Sequence, residues 1–147
     1  ASIYFGNEKY AECINYLEKI INNKNLSMRE DLMCFSRLLC LIAHYELGKD
    51  FYIENQIKNT YKFLIKMNDL HEVQKEIIRF MKNLNSIYPS DIKKEFIKMK
   101  ERFVELDKNT YEKRAFLYLD IISWLESKIE NRKISDIIKE KAKINNR

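Results

Sequence analysis

Apolar side chains recur every three or four residues along almost the whole of this 147-residue chain, and only two glycines and one proline interrupt them. That spacing places apolar residues on one face of an α-helix. Residues that break helices are too few for the many turns that a sheet needs. No stretch alternates apolar and polar residues, as a half-buried strand does, over more than a few positions. The sequence therefore predicts an all-α fold.

The apolar pattern divides into seven predicted helices joined by loops of two to six residues. Loops this short place consecutive helices side by side and antiparallel. Residues 1–5 look like the end of a further helix, so we expect the chain to be part of a longer protein. Its length suits a single domain over residues 1–147. The approximate limits of the seven helices are 9–22, 27–47, 53–66, 69–87, 90–107, 109–129 and 134–147.

Particular residues predict where these helices begin and end. Ser27 and Glu30 form a capping box, in which each side chain accepts from the other residue's amide. Gly48 can adopt the left-handed conformation that ends a helix. Asn109 begins the sixth helix, which is predicted to be the longest.

The stretch from Leu38 to Leu64 is predicted to form a helical hairpin with its turn at Gly48, within a stack of similar helix pairs. Its second helix carries an apolar face and an opposite row of lysines. The predicted inward residues are Ile53, Ile57, Tyr61, Leu64 and Ile65. The lysines are Lys58, Lys62 and Lys66, which are spaced by four residues.

Two segments resemble the tetratricopeptide repeat (TPR), a helical hairpin that recurs and stacks. The first segment is similar to the second helix of a repeat, through Tyr10, Cys13, Ile14, Tyr16, Leu17, Ile20 and Ile21. The second is similar to a whole hairpin, through Ala43, Tyr45, Gly48, Ile57 and Tyr61. Ile53 and Asp50 depart from the family pattern. The resemblance covers residues 1–68, and the helices over 69–147 are divergent.

A second resemblance lies near the end of the chain, where residues 111–128 look like the closing segment of large bacterial TPR-like proteins. The two resemblances together imply a right-handed α-solenoid built from helix pairs. They also imply a scaffold without catalytic activity that binds a protein or peptide on a concave surface lined by the first helix of each pair. In peptide-holding members, Lys, Arg and Asn side chains bind a terminal carboxylate. Here the matching helix offers chiefly Arg37, so the sequence shows no such clamp.

We expect the partner to contact Arg37, His44 and Tyr45, because each is polar or amphipathic on an otherwise apolar helix. Trp124 is the best candidate for an aromatic binding anchor, since tryptophan dominates binding hot spots. Packing between helices is the alternative role for this side chain. Alanine at the first three positions is expected to weaken partner binding.

No feature of the sequence predicts catalysis, a metal or a cofactor. Cys40 and His44 have the i, i+4 spacing of two metal ligands, but a structural site needs about four. Glycine-rich phosphate loops and a nucleophile elbow are absent from the sequence. The three cysteines lie among apolar residues, which predicts buried, reduced thiols and a cytoplasmic location. No apolar run reaches the roughly 18 residues of a membrane span.

The net charge of +5 is distributed unevenly. Residues 58–101 carry ten basic and six acidic residues, and residues 128–147 carry seven and three. Such basic segments can bind phosphates. The alternative to protein binding is therefore a nucleic-acid-binding helical repeat that uses residues 58–100 and the C-terminal helices, with Tyr61 and Phe63 available for base stacking. Self-association of the chain is a third alternative.

Overall fold

The computed structural model describes residues 2–23, 30–48, 53–67, 71–113 and 120–146. Within these ranges the chain forms eight α-helices and no strand, which confirms the all-α prediction. Each of the seven predicted helices has a counterpart, and a short helix precedes them. The helices are α1 (Ser2–Gly6), α2 (Tyr10–Ile21), α3 (Glu30–Leu47), α4 (Ile53–Lys66), α5 (Glu72–Lys82), α6 (Ile92–Leu106), α7 (Ile121–Glu130) and α8 (Ile134–Asn145).

Each helix packs against its neighbour in the chain, from α1 on α2 through to α7 on α8. Helix α3 is the most deeply enclosed, because six consecutive residues from Leu38 to Ala43 are buried. A helix that is buried over most of its circumference needs cover on more than one side. Helices α2 and α4 supply that cover, as the broad apolar surface of α3 predicts.

Two helices end at a residue with positive φ, and in both cases the residue type suits that conformation. Gly48 has φ +76° after α3, and its amide donates to the His44 carbonyl oxygen at 3.2 Å. Asn131 has φ +53° after α7. Glycine adopts this left-handed region without steric strain, and asparagine tolerates it better than most residues. The predicted turn at Gly48 is therefore confirmed.

The prediction of one long helix over 109–129 is wrong. Asn109 does cap a turn, since its Oδ1 accepts from the amides of Tyr111 at 2.9 Å and Glu112 at 3.3 Å. However, α7 begins only at Ile121, where the carboxylate of Asp120 accepts from the Ser123 amide at 3.0 Å. This second cap marks a new helix start. The longest described helix is instead α3, with 18 residues.

The inner face predicted for α4 is also partly wrong. Ile57, Thr60 and Leu64 are its buried residues, whereas Tyr61 is 36% and Ile65 51% exposed. The stripe that packs inside the fold is narrower than the apolar face of the helix, so part of that face remains on the surface.

The remaining boundary predictions have mixed outcomes. The helix predicted over 69–87 ends at Lys82 and is followed by a 3₁₀ turn at Leu84–Ser86. Pro89 opens a second 3₁₀ turn, which leads directly into α6, as expected for a proline at the start of a helix. Ser27 of the predicted capping box lies outside the described residues.

Candidate binding site

A cavity of about 220 Å³ lies between α2, α3 and α4. Its walls are unusually polar for a space between packed helices, because side-chain amides, a hydroxyl and two charged groups line it. The polar residues that line it are Glu18, Asn22, Arg37, Asn55, Gln56, Asn59 and Thr60. A concave space with several convergent polar groups is typical of a binding site.

Arg37 is the cation of this cavity, and its guanidinium is held in place by an aromatic ring. The guanidinium carbon lies 4.1 Å from the centroid of the Phe63 ring, so the planar group stacks on that ring. Burial lowers the pKa of Arg37. Its Nε atom is buried and has no hydrogen-bond acceptor among the described residues, where no carboxylate lies within 4.0 Å of the guanidinium either.

His44 lies one side-chain contact away from the cavity. The side chain is buried, and the Gln56 amide nitrogen lies 3.4 Å from its Nε2 atom. Gln56 itself lines the cavity. Arg37 and His44, two of the predicted contact residues, are therefore both associated with the α3–α4 side of the fold. Of the two, only Arg37 lines the cavity.

Tyr45 and Trp124 lie elsewhere, in an aromatic cluster that joins α3, α5, α6 and α7. The ring centroid of Trp124 is 6.4 Å from that of Tyr45 and 5.9 Å from that of Phe96. Phe80 completes the cluster, at 6.0 Å from Tyr45 and 5.0 Å from Phe96. Trp124 is fully buried, so the indole packs between helices and is not exposed to a partner. Tyr45 is half-buried in the same packing.

Glu46 accepts hydrogen bonds from two donors that are distant in sequence, Trp124 of this cluster and Lys128. One oxygen, Oε1, accepts from Trp124 Nε1 at 2.8 Å, and the other, Oε2, accepts from Lys128 Nζ at 3.0 Å. The Glu46 side chain is only 9% exposed. Because the carboxylate is buried and has two donors, it fixes α7 against the end of α3.

We expect Glu46→Ala to lower the free energy of unfolding by about 1–3 kcal/mol, because the indole N–H of Trp124 then remains buried without its acceptor. Urea unfolding followed by circular dichroism measures this. The isosteric change Glu46→Gln keeps an acceptor for the indole N–H and should lower the free energy of unfolding by less.

The matched control for Glu46→Ala is Glu105→Ala. Glu105 pairs with Lys108 at 3.1 Å, and the side chains of that pair are 70% and 69% exposed. Exposed pairs contribute at most about 1 kcal/mol. Equal losses for Glu46→Ala and Glu105→Ala would contradict a structural role for Glu46.

Glu112 is a buried carboxylate in the turn that follows α6. Its Oε2 accepts from the Glu72 amide at the start of α5 at 3.1 Å and lies 3.8 Å from His71 Nδ1. Glu72, which donates its backbone amide, and Glu112, which accepts with its side chain, are 40 positions apart. A carboxylate at a helix N-terminus satisfies an amide that has no partner within the helix. The buried position of Glu112 therefore has a structural explanation, because its carboxylate holds the turn after α6 against the start of α5.

The described residues contain no group of three or more His, Cys, Asp and Glu side chains that could hold a metal ion. In the same part of the chain, no helix is both long enough and apolar enough to cross a membrane. Cys13, Cys34 and Cys40 are all buried, and none of them forms a disulfide.

Comparisons of this chain with protein-family models, with curated proteins and with solved structures find no match. The function is therefore inferred from the residues and their geometry.

Proposed function

We propose that this chain is a non-enzymatic protein-interaction scaffold that binds a protein or peptide partner in the cavity between α2, α3 and α4. We further propose that its helices form a TPR-like right-handed solenoid in the cytoplasm. The stacking of each helix on its chain neighbour supports the solenoid. The buried thiols support the cytoplasmic location.

The buried Nε atom of Arg37, which has no acceptor among the described residues, is the observation that carries the proposal. A buried donor without an acceptor is unfavourable, and a ligand that supplies the acceptor removes that penalty. A carboxylate suits the site best, because guanidinium–carboxylate hydrogen bonds are charge-assisted and often bidentate. The amide side chains of Asn55 and Asn59 can then hydrogen-bond the peptide groups around it. A peptide with an acidic side chain or a terminal carboxylate has all of these groups.

Peptides selected from a displayed random library on the purified protein test this proposal. We expect the selected peptides to share a carboxylate, and Arg37→Ala to weaken their binding by about tenfold or more. Asn59→Asp should weaken binding as well, because it adds a negative charge to the cavity at an exposed position. Isothermal titration calorimetry measures each affinity.

The matched control for Arg37→Ala is Arg102→Ala, since Arg102 is 55% exposed and lies on α6. It should leave the affinity unchanged. If the selected peptides bind Arg37→Ala as tightly as the unaltered protein, Arg37 does not contact the partner and the proposal fails. Circular dichroism of each variant separates lost contacts from lost structure.

Nucleic-acid binding is the second candidate, and the row of Lys58, Lys62 and Lys66 favours it because all three are exposed. Many basic residues on the later helices are instead paired with carboxylates, which leaves less charge for phosphates. Examples are Lys75 with Glu72, Arg79 with Glu76, Lys98 with Glu95 and Lys141 with Glu126. Binding dominated by phosphates must weaken steeply with added salt, so a salt titration with single-stranded RNA or DNA distinguishes the two functions.

A further inference from the structure

A second groove, of about 430 Å³, lies between the beginning of α4 and the end of α5. Its floor is aliphatic, unlike the polar cavity around Arg37. Ile53 and Ile57 contribute one side of the floor, and Met81 and Leu84 contribute the other. The groove is thus shaped to accept apolar side chains.

The apolar surface continues along α4 beyond the groove. Tyr61 and Ile65 are one and two turns further along the helix than Ile57, and both are exposed. The same helix therefore offers a strip of apolar side chains that the described part of the chain leaves partly uncovered. Surface apolar residues that adjoin one another in this way are typical of interaction sites.

Lysines flank the groove. Lys58 and Lys82 line it together with a single described acid, Glu54, and Lys62 follows one turn further along α4. Neither Lys58 nor Lys82 has a carboxylate within 4.0 Å among the described residues. The local charge is positive, so carboxylates on a ligand would be attracted to this edge.

The space between α5 and α6 shows the opposite arrangement. That cavity, of about 470 Å³, is lined by acids and bases that pair with each other. Glu76 accepts from Arg79 at 2.9 Å, and Glu95 accepts from Lys98 at 3.2 Å. Charges that are satisfied within the protein provide little attraction for a ligand. The unpaired lysines therefore distinguish the α4–α5 groove from the α5–α6 cavity.

Two features favour a peptide over a nucleic acid as the occupant. The floor is aliphatic, whereas single-stranded nucleic acids are held largely by stacking of bases on aromatic rings. The Tyr61 ring, further along α4, has the Lys82 ammonium 4.6 Å from its centroid, so one face of that ring is already covered. Aliphatic side chains fit this floor better than bases do.

We propose that the α4–α5 groove binds an acidic amphipathic segment of another protein. Its apolar side chains fill the space between Ile57 and Leu84, and its carboxylates pair with Lys58 and Lys82. This goes beyond the function proposed above, because it assigns a second surface and the chemistry of its ligand. The two sites share α4 but are lined by different residues of it, so they can be tested separately.

The probe is a fluorescein-labelled peptide with leucines at helical spacing and glutamates between them. We expect it to bind the protein, and we expect a companion peptide with lysines in place of the glutamates not to bind. Changing both rim lysines, Lys58→Glu with Lys82→Glu, should weaken binding by about tenfold or more. Leu84→Ala should weaken it by about fivefold, through the lost apolar contact. Fluorescence anisotropy gives each affinity.

The matched control for the rim pair is Lys93→Glu with Lys139→Glu, which makes the same charge change at exposed positions on α6 and α8. It should change the affinity by no more than about twofold. Failure of the acidic peptide to bind the unaltered protein overturns the proposal. Equal weakening by the rim pair and the control pair also overturns it.

Two further measurements identify a different occupant or a different site. If an unlabelled oligonucleotide of thymidines binds, loses affinity with the rim pair and is not displaced by the acidic peptide, the groove belongs to nucleic acid. If Arg37→Ala abolishes peptide binding and the rim pair does not, the peptide occupies the cavity around Arg37. In that case the groove proposal fails while the proposed function stands.

Discussion

Replacing Trp124 by alanine should lower the free energy of unfolding by about 3–5 kcal/mol, the usual range for a large aromatic side chain removed from a core. The indole is fully buried. Its ring meets Tyr45 and Phe96 edge-on, and its N–H donates to Glu46 at 2.8 Å. The substitution therefore removes contacts to two other helices at once. A typical domain is stabilised by only about 5–15 kcal/mol, so this loss is a large fraction.

Chemical unfolding followed by far-ultraviolet circular dichroism measures the loss, since Trp124 is the only tryptophan and its fluorescence disappears with it. Tyr88→Ala is the matched control, because Tyr88 is 75% exposed. An exposed position of this kind should change stability by no more than about 0.5 kcal/mol. If Trp124→Ala lowers the free energy of unfolding by no more than Tyr88→Ala does, the indole is not part of the core.

The second large effect concerns the thiol of Cys40, which should be almost inert in the folded protein. The side chain is 2% exposed, and burial raises its pKa from 9.0 to about 12. The thiolate is the reactive form. Three pKa units lower the thiolate fraction near neutral pH about a thousandfold. We expect alkylation of Cys40 by iodoacetamide at about pH 8 to be slower by at least that factor than in the urea-unfolded chain.

Peptide mapping by mass spectrometry separates Cys40 from Cys13, whose pKa burial also raises. As the pH rises toward 12, the rate at Cys40 should increase about tenfold per unit while the fold persists. A thiol placed at an exposed position by Ser90→Cys is the matched control and should react rapidly. Native Cys40 reacting within about tenfold of that control would contradict its burial.

Local pattern was sufficient to predict most of the helices. The apolar spacing of α2 and the enclosed run of α3 specify these helices without reference to the rest of the chain, and Gly48 specifies the turn after them. Where apolar periodicity and a helix-start residue predict different boundaries, the periodicity gives the wrong one. The apolar periodicity of residues 109–129 suggested one helix, although Asp120 has a side chain suited to starting a new one.

The outcome for α4 shows a second limit. Apolar spacing predicts which residues share a helix face, but it does not predict how much of that face a neighbouring helix covers. Tyr61 and Ile65 share a face with Ile57, yet only Ile57 is buried. Their exposure depends on where α5 lies, and nothing near them in the sequence determines that.

Of the residues that line the candidate site, the sequence pattern indicates only Arg37. Arg37 stood out because a charged side chain is unusual on such an apolar helix. The amides of Asn55 and Asn59 that complete the cavity are ordinary exposed residues of α4 until the fold brings them opposite α2 and α3. Residue type alone favours Trp124 as a binding anchor, whereas its buried position involves a hydrogen bond to Glu46, 78 positions earlier.

The side-chain Nε–H resonance of Arg37 shows whether a peptide partner binds at Arg37, because that buried donor has no acceptor among the described residues. A titration with a library-selected peptide can be followed on this proton by nuclear magnetic resonance. We expect a downfield shift that saturates with binding, as the proton gains a carboxylate acceptor, and no shift at Arg102. Saturable peptide binding that leaves the Arg37 resonance unmoved would show that Arg37 does not bind the partner.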